Sequence, residues 1–376
     1  GERKMIKFLL GFTGLCVSST ALMAGGMERT ALSTSFMYEK GGYAEVAYSS
    51  RDYTVTAPTF APDESVIEDQ VGFSLAGKFD ISESISFGLT QYNQAGVGLN
   101  YQGAGGTGVV GAGLNAAGPK VSLDIDALVF LGRYSFSENF SFMLGMKNSN
   151  IRDATADIFK SSGALSAASV KGKSASGTVA AVAYERPDIA LRVELLYEAD
   201  TSFSLDTTGG LLGAATGTTQ GSLPDYQTIN FQTGIAADTL AFGSIRMADW
   251  KNHQLSVAPQ TLAGTGAAGG PTSSFSNSTT YSLGVGRKLS EDLSLSLSTN
   301  WENGTEASGT SLLSPTNGYN GYSLGAKYNM NNLTISGGVN YTTFGDKTIT
   351  AAAGTDPDKF SGNSVLSYGI KVGVNF

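Results

Sequence analysis

The sequence predicts an all-β fold: a 14-stranded antiparallel transmembrane β-barrel with a short N-terminal lumenal segment. Three observations carry this. From Tyr43 onward, apolar residues alternate with small polar ones at period two, the signature of a strand with two different faces. Fourteen such segments follow one another, joined alternately by short turns and long Gly/Ser/Thr-rich connections. The composition fits a wall between lipid and water: 15 % charged residues against about 25 % in soluble domains, 10 % aromatics, 49 Gly among 376 residues and 41 % hydrophobic residues.

The last segment is the clearest. Leu366, Tyr368, Ile370, Val372, Val374 and Phe376 fall on one face, and Ser367, Gly369, Lys371, Gly373 and Asn375 on the other. The same split opposes Leu293, Leu295, Leu297 and Trp301 to Ser294, Ser296, Ser298 and Asn300. It opposes Val71, Phe73, Leu75 and Phe79 to Gly72, Ser74, Ala76 and Lys78, and Val121, Leu123, Ile125 and Val129 to Ser122, Asp124 and Asp126. With the apolar face assigned to lipid, the lumen receives Glu45, Arg51, Lys78, Asp124, Asp126, Lys147, Arg192, Glu194, Glu198, Lys288, Lys327 and Lys371, mixed in sign and expected to form ion pairs.

The segments fall at 42–54, 66–80, 84–101, 120–136, 139–151, 172–185, 189–204, 222–236, 239–254, 276–289, 292–304, 318–329, 332–345 and 362–376. Both chain ends then lie on the short-turn side. Closure into a barrel removes the edges that an open sheet of this length would expose. Tyr134, Phe136, Phe140 and Phe142 flank one short turn, and Trp250, Trp301 and Tyr341 sit toward the long-loop ends, as expected of aromatic girdles.

The N-terminus reads as a secretory signal over residues 1–24. Arg3, Lys4 and Lys7 precede an apolar run from Phe8 to Val17, too short to span a bilayer, and then small residues to Ala24. Cleavage is expected after Ala24, with Ala21 as the alternative and Met5 as the natural start. Residues 25–41 are then a plug segment and 42–376 the barrel. Cys16 is the one cysteine and lies in the signal, so neither disulfide nor thiol chemistry is expected of the mature chain. The formal charge of −8 argues against nucleic acid as a partner.

The chain has a single histidine, His253, with Asp249 nearby. An acid–His pair without a nucleophile signature does not define a hydrolase, and a single His with one Cys cannot build an ordinary zinc site. The expectation is a protein that is not an enzyme and needs no cofactor.

Three stretches, Asp126–Ile158, Ala175–Gly209 and Leu223–Trp250, together with the start of the mature chain at Gly25–Ser50, resemble the FadL-type outer-membrane channels for long-chain fatty acids and other hydrophobic compounds. The resemblance implies capture of a solute between external loops, passage into the barrel and lateral exit beside a kinked third strand. It also implies a bacterial outer-membrane location, contact with lipopolysaccharide, recognition of the strand ending in Phe376 by barrel-assembly machinery, and a monomer. The chain departs from the family in its N-terminal plug, which is shorter and lacks an Asn-Pro-Ala motif.

On this pattern Ile158, Phe159 and Leu165 in one long loop and Leu211 and Leu212 in another form the candidate capture groove. Arg152 occupies the position of the family's carboxylate-binding Arg, although strict alternation from Phe140 turns it outward; Lys251 is a second cationic candidate. Asn93 and Gly96 interrupt the alternation of the third strand and mark the candidate lateral opening. A general diffusion porin and a surface adhesin remain alternative readings.

Overall fold

The computed structural model describes residues 25–105, 120–157, 168–209, 216–256, 273–350 and 356–376. Alternation produces β1 (Tyr43–Thr54), β2 (Gln70–Asp80), β3 (Ile85–Asn100), β4 (Lys120–Ser135), β5 (Phe140–Ile151), β6 (Lys173–Arg186) and β7 (Leu191–Glu198). It continues through β8 (Tyr226–Ala236), β9 (Thr239–Ala248), β10 (Ser278–Lys288), β11 (Leu293–Glu302), β12 (Tyr319–Met330), β13 (Leu333–Phe344) and β14 (Ser364–Asn375). Each strand pairs antiparallel with the next. The barrel closes between β1 and β14, in register from Tyr43↔Asn375 to Thr54↔Ser364.

Two of the short connections use residues that tolerate left-handed backbone. Asp238 and Asn331, at φ 55° and 56°, turn β8 into β9 and β12 into β13. At the opposite end, Ala154–Asp157, Ala168–Val170, Thr201–Gly209 and Thr216–Leu223 carry β5 to β8 outward across two-residue breaks. Much of the expected 205–221 loop is therefore hairpin. The Thr and Ser residues there alternate too, but with hydroxyls instead of apolar side chains, so hydrophobic periodicity did not reveal them.

The wall is apolar outside. Val71, Leu144, Leu297 and Tyr322 are 60–67 % exposed, and large hydrophobics of β2, β4, β5, β11, β12, β13 and β14 join them around the circumference. In a chain that buried its greasy faces in a core these side chains would be covered; here lipid is the medium that suits them.

The inside differs from expectation in β4. Leu128, Phe130 and Tyr134 point outward, so Val121, Leu123, Ile125 and Val129 point inward, where they are buried. Asp124 and Asp126 accordingly lie on the outer face, beyond the apolar belt, and not in the lumen. Both faces of β4 are apolar at mid-height, so alternation alone could not choose the inward one. Trp250 also departs from the girdle role. It is 1 % exposed and packs edge-on against Tyr226 and Phe275, with centroids 6.2 and 5.5 Å away.

A three-stranded sheet of Ser308–Gly309, Lys347–Ile349 and Asp358–Phe360 lies among the long loops. It ties the loops together: Thr59 N and Phe60 N donate to Asp358 Oδ2 at 2.7 and 2.6 Å, Thr56 N to Asn363 Oδ1 at 2.9 Å, and the Tyr101 hydroxyl to Leu312 O at 2.7 Å. Phe60, Tyr101, Leu313, Ile349 and Phe360 are buried together beneath it.

Candidate functional site

Residues 25–42 run through the interior from the long-loop end to the short-turn end. Gly25 O accepts from Ser276 N at 2.9 Å beside the start of β10. Gly26 lies flat under the Trp250 indole, where a Cβ would collide with the ring. Lower down, Thr34 Oγ1 and the Tyr38 hydroxyl donate to Glu194, both at 2.6 Å, and Leu32, Phe36 and Met37 join an apolar cluster with Val129, Leu131 and Met143. Gly42 exchanges backbone bonds with Phe376 at the bottom.

Midway, the segment meets a defect in the wall. β1 pairs with β2 up to Arg51↔Gln70, but β2 pairs with β3 only from Asp80↔Ser86 to Leu75↔Gln91. Above that point β3 turns away at a bulge, where Gln94 is the extra residue between Asn93 and Ala95. The strands rejoin through the loop after β1, with Ile67 bridging Leu99 and Glu68 N donating to Gly98 O at 3.1 Å. A window is left, with residues 71–74 of β2 on one side and residues 92–97 of β3 on the other. One bond crosses it, from Phe73 N to Asn93 Oδ1 at 3.0 Å.

An unpaired strand edge inside a wall needs a partner, and residues 27–30 supply it. Glu28 pairs with Ala95 as an antiparallel bridge, Arg29 N donates to Gln94 O at 2.9 Å, and Gly96 N donates to Met27 O at 2.8 Å. Gly96 serves this approach directly: a Cβ there would meet Leu123 O and, at 2.7 Å, the Arg29 guanidinium. The Arg29 side chain passes over it to pair with Asp124.

A cavity of about 170 Å³ adjoins the window and is lined from both faces of the wall. Tyr48, Phe73 and Ile370 come from the lipid side, Glu45, Arg51 and Tyr92 from the lumen, and Thr30 and Ala31 from the N-terminal segment. Arg51 is 3 % exposed, and its one described hydrogen bond is a long one to Arg29 O, 3.4 Å. No carboxylate among the described residues pairs with it. The Tyr92 hydroxyl is buried and also without a described partner. Alternation placed Arg51 in the lumen, but its lack of a counterion is a property of packing that no sequence pattern carries.

Beside the cavity, four charges form a buried chain. Arg246 grips Glu28 through Nε and Nη2, at 3.1 and 2.6 Å, and reaches Glu198 Oε1 at 3.0 Å; Glu198 Oε2 accepts from Lys147 Nζ at 3.0 Å. The Tyr226 ring stacks under the Arg246 guanidinium at 4.1 Å. Two cations face two anions, and one anion, Glu28, belongs to the N-terminal segment.

The sequence-predicted residues separate. Asn93 and Arg152 come together on Asp126, which accepts from Asn93 Nδ2 and Arg152 Nε, both at 2.6 Å. Arg152 is half exposed at the outer rim, on the face that strict alternation assigned to it. Lys251 is exposed in the turn Trp250–Asn252 after β9. Ile158, Phe159, Leu165, Leu211 and Leu212 lie outside the described residues.

A second hollow, of about 690 Å³, opens where β6 and the outward extension of β7 stop pairing. It is lined by hydroxyls and amides, including Ser174, Ser202, Ser222 and Gln254. Ser222 Oγ lies 2.8 Å from His253 Nδ1 at its edge, so His253 is half-buried and bonded, not a free loop residue. Asp249 instead accepts from Asn252 Nδ2 at 2.6 Å, so the acid–His pair is not formed.

The architecture is that of a fourteen-stranded barrel with an N-terminal segment in its lumen and a gap beside its third strand. The solved structures with this fold include a FadL homologue of Pseudomonas aeruginosa, 12 % identical with TM-score 0.69, covering 91 % of this chain and 92 % of that one. The Pseudomonas putida toluene transporter TodX is 12 % identical at TM-score 0.62, covering 94 % and 97 %. The Ralstonia pickettii toluene transporter TbuX is 9 % identical at TM-score 0.60, covering 93 % and 97 %. No protein-family model and no curated protein matches the sequence.

Proposed function

We propose that this chain, freed of residues 1–24, is a monomeric channel of the bacterial outer membrane that takes up hydrophobic small molecules and releases them sideways through the β2–β3 window. The window carries the reading. An apolar solute gains nothing by entering a water-filled pore, whereas an apolar, partly polar cavity can hold it and a gap in the wall returns it to lipid. Residues 25–41 act as the plug, covering the free edge of β3 until a solute arrives. The solved relatives by fold include proteins described as toluene transporters.

In this reading the loops bearing Ile158, Phe159, Leu165, Leu211 and Leu212 capture the solute, and Arg152 and Lys251 are rim cations that an anionic head group meets first. Lipopolysaccharide surrounds the outer rim, and assembly machinery reads the strand ending in Phe376. Long-chain fatty acids are favoured as solutes by Arg51, because a buried guanidinium without a counterion suits a carboxylate through paired hydrogen bonds.

Proteoliposomes test this. Uptake of labelled oleate without passage of small sugars supports the channel; free sugar passage would identify a porin instead. Arg51→Ala should weaken oleate uptake at least tenfold and spare toluene. Equal loss of both would remove the fatty-acid assignment and leave a hydrocarbon channel.

A further inference from the structure

Glu302, at the end of β11, is 5 % exposed and holds one described hydrogen bond, from Thr280 Oγ1 at 3.3 Å. No cation among the described residues reaches it. The Thr280 hydroxyl itself is met by the neutral Tyr319 hydroxyl at 3.5 Å. A carboxylate buried among neutral groups is costly unless something positive lies beside it.

What lies beside it is Gly25. An ideal Cβ on Gly25 would sit 3.4 Å from Glu302 Oε1 and 2.9 Å from Ser276 O. The amino nitrogen hangs from the same Cα by a bond of about 1.46 Å, two bonds from that Cβ position, which bounds it to within about 6 Å of Glu302 Oε1. Within a continuous precursor that nitrogen is a neutral amide. Cut after Ala24, it becomes an α-ammonium with three donors and, with its usual pKa near 7.7–8.0, a positive charge at neutral pH.

We infer that the mature chain begins at Gly25 and that its α-ammonium is the counterion of Glu302. Processing then does two things at once: it removes the signal and creates the charge that pins the top of the plug to the barrel wall. Cleavage after Ala21 would leave three further residues in front of this corner and Glu302 without its partner. The inference rests on the signal-peptide reading and not on the solute that the barrel carries.

Protein extracted from outer membranes in detergent tests it. Intact mass and the N-terminal peptide should give Gly25 as first residue; another start overturns the inference. The decisive observation is a sign. In the Gly25-start chain, Glu302→Gln should lower the melting temperature of the barrel by several degrees, because it strands the ammonium. In a chain lengthened by two alanines before Gly25, the same substitution should leave melting unchanged or raise it, because there it removes an unpaired charge. The same sign and size in both backgrounds overturns the pairing. Should E302Q fail to assemble, the two chains that keep Glu302 suffice: reductive methylation of the α-amine at pH 7 should be at least tenfold slower from Gly25 than from the lengthened start, and equal rates overturn the pairing.

Discussion

Glu28→Gln is the perturbation with the sharpest expected consequence. Glu28 and Arg246 are both under 10 % exposed, and with Glu198 and Lys147 they make a neutral buried set. Replacing the carboxylate leaves Arg246 and Lys147 facing Glu198 alone, a net positive charge out of water. Removing one member of a buried pair costs about 3–5 kcal/mol. Gln keeps a hydrogen bond to the guanidinium, which places the effect near 3 kcal/mol, and at about 1.4 kcal/mol per decade the detached plug becomes on the order of 10²-fold more populated. The assay is hydrogen exchange of the amides that join the plug to β3, those of Arg29, Thr30 and Gly96. Their exchange should accelerate by that factor while the β12–β13 ladder is unaffected. Adding Arg246→Met, which leaves Glu198 paired to Lys147 and restores neutrality, should return most of the protection. Unchanged exchange at those three amides, or an equal rise throughout the barrel, would refute the view that Glu28 latches the plug.

Three further outcomes follow from the same geometry. Thr30 and Asn93 line the same cavity beside the window, so Thr30→Cys with Asn93→Cys should form a disulfide in a mature chain free of other thiols; oxidised proteoliposomes should lose oleate uptake and regain it on reduction. Gly96→Ala introduces a Cβ against Leu123 O and the Arg29 guanidinium, so it should destabilise the barrel by about 1–3 kcal/mol and raise ion leak in planar bilayers. In the outer sheet, burial lowers the Lys347 ammonium pKa and Glu306 only partly offsets it. A base depressed in the folded state weakens that sheet in full below its lowered value, and the penalty fades as pH climbs from there to the ordinary lysine range. Lys347→Met should therefore slow proteolysis of the outer loops at pH 7, with the difference from wild type shrinking at alkaline pH.

How far the sequence reached depended on what alternation can encode. Strand number, turn positions and the lipid face of β2, β11 and β14 were legible because one face is apolar and the other small or polar. β4 was not, since Leu128 and Phe130 face lipid while Val129 and Leu131 pack on the plug, and period two is silent when both faces are greasy. Asn93 and Gly96 signalled an irregular third strand, and the bulge lies between them at Gln94. The window, however, is defined by pairs that are missing between β2 and β3, and the plug by a segment whose contacts with Gln94, Glu194 and Arg246 are all distant in sequence. The same is true of Arg51, which reads as an ordinary lumenal charge, and of Glu302, which no sequence pattern singled out: only the three-dimensional packing withholds a side-chain counterion.

The account turns on where an apolar solute crosses the wall. A diazirine-bearing fatty acid, photolysed during uptake in proteoliposomes and mapped by peptide mass spectrometry, tests this most directly. Adducts should concentrate on Tyr48, Phe73, Tyr92 and Thr30, around the window, and should vanish from Tyr48 and Phe73 when the Thr30–Asn93 disulfide is closed. Adducts that instead run down the interior to Phe36 and Tyr43 with the disulfide closed, and with uptake intact, would contradict lateral release.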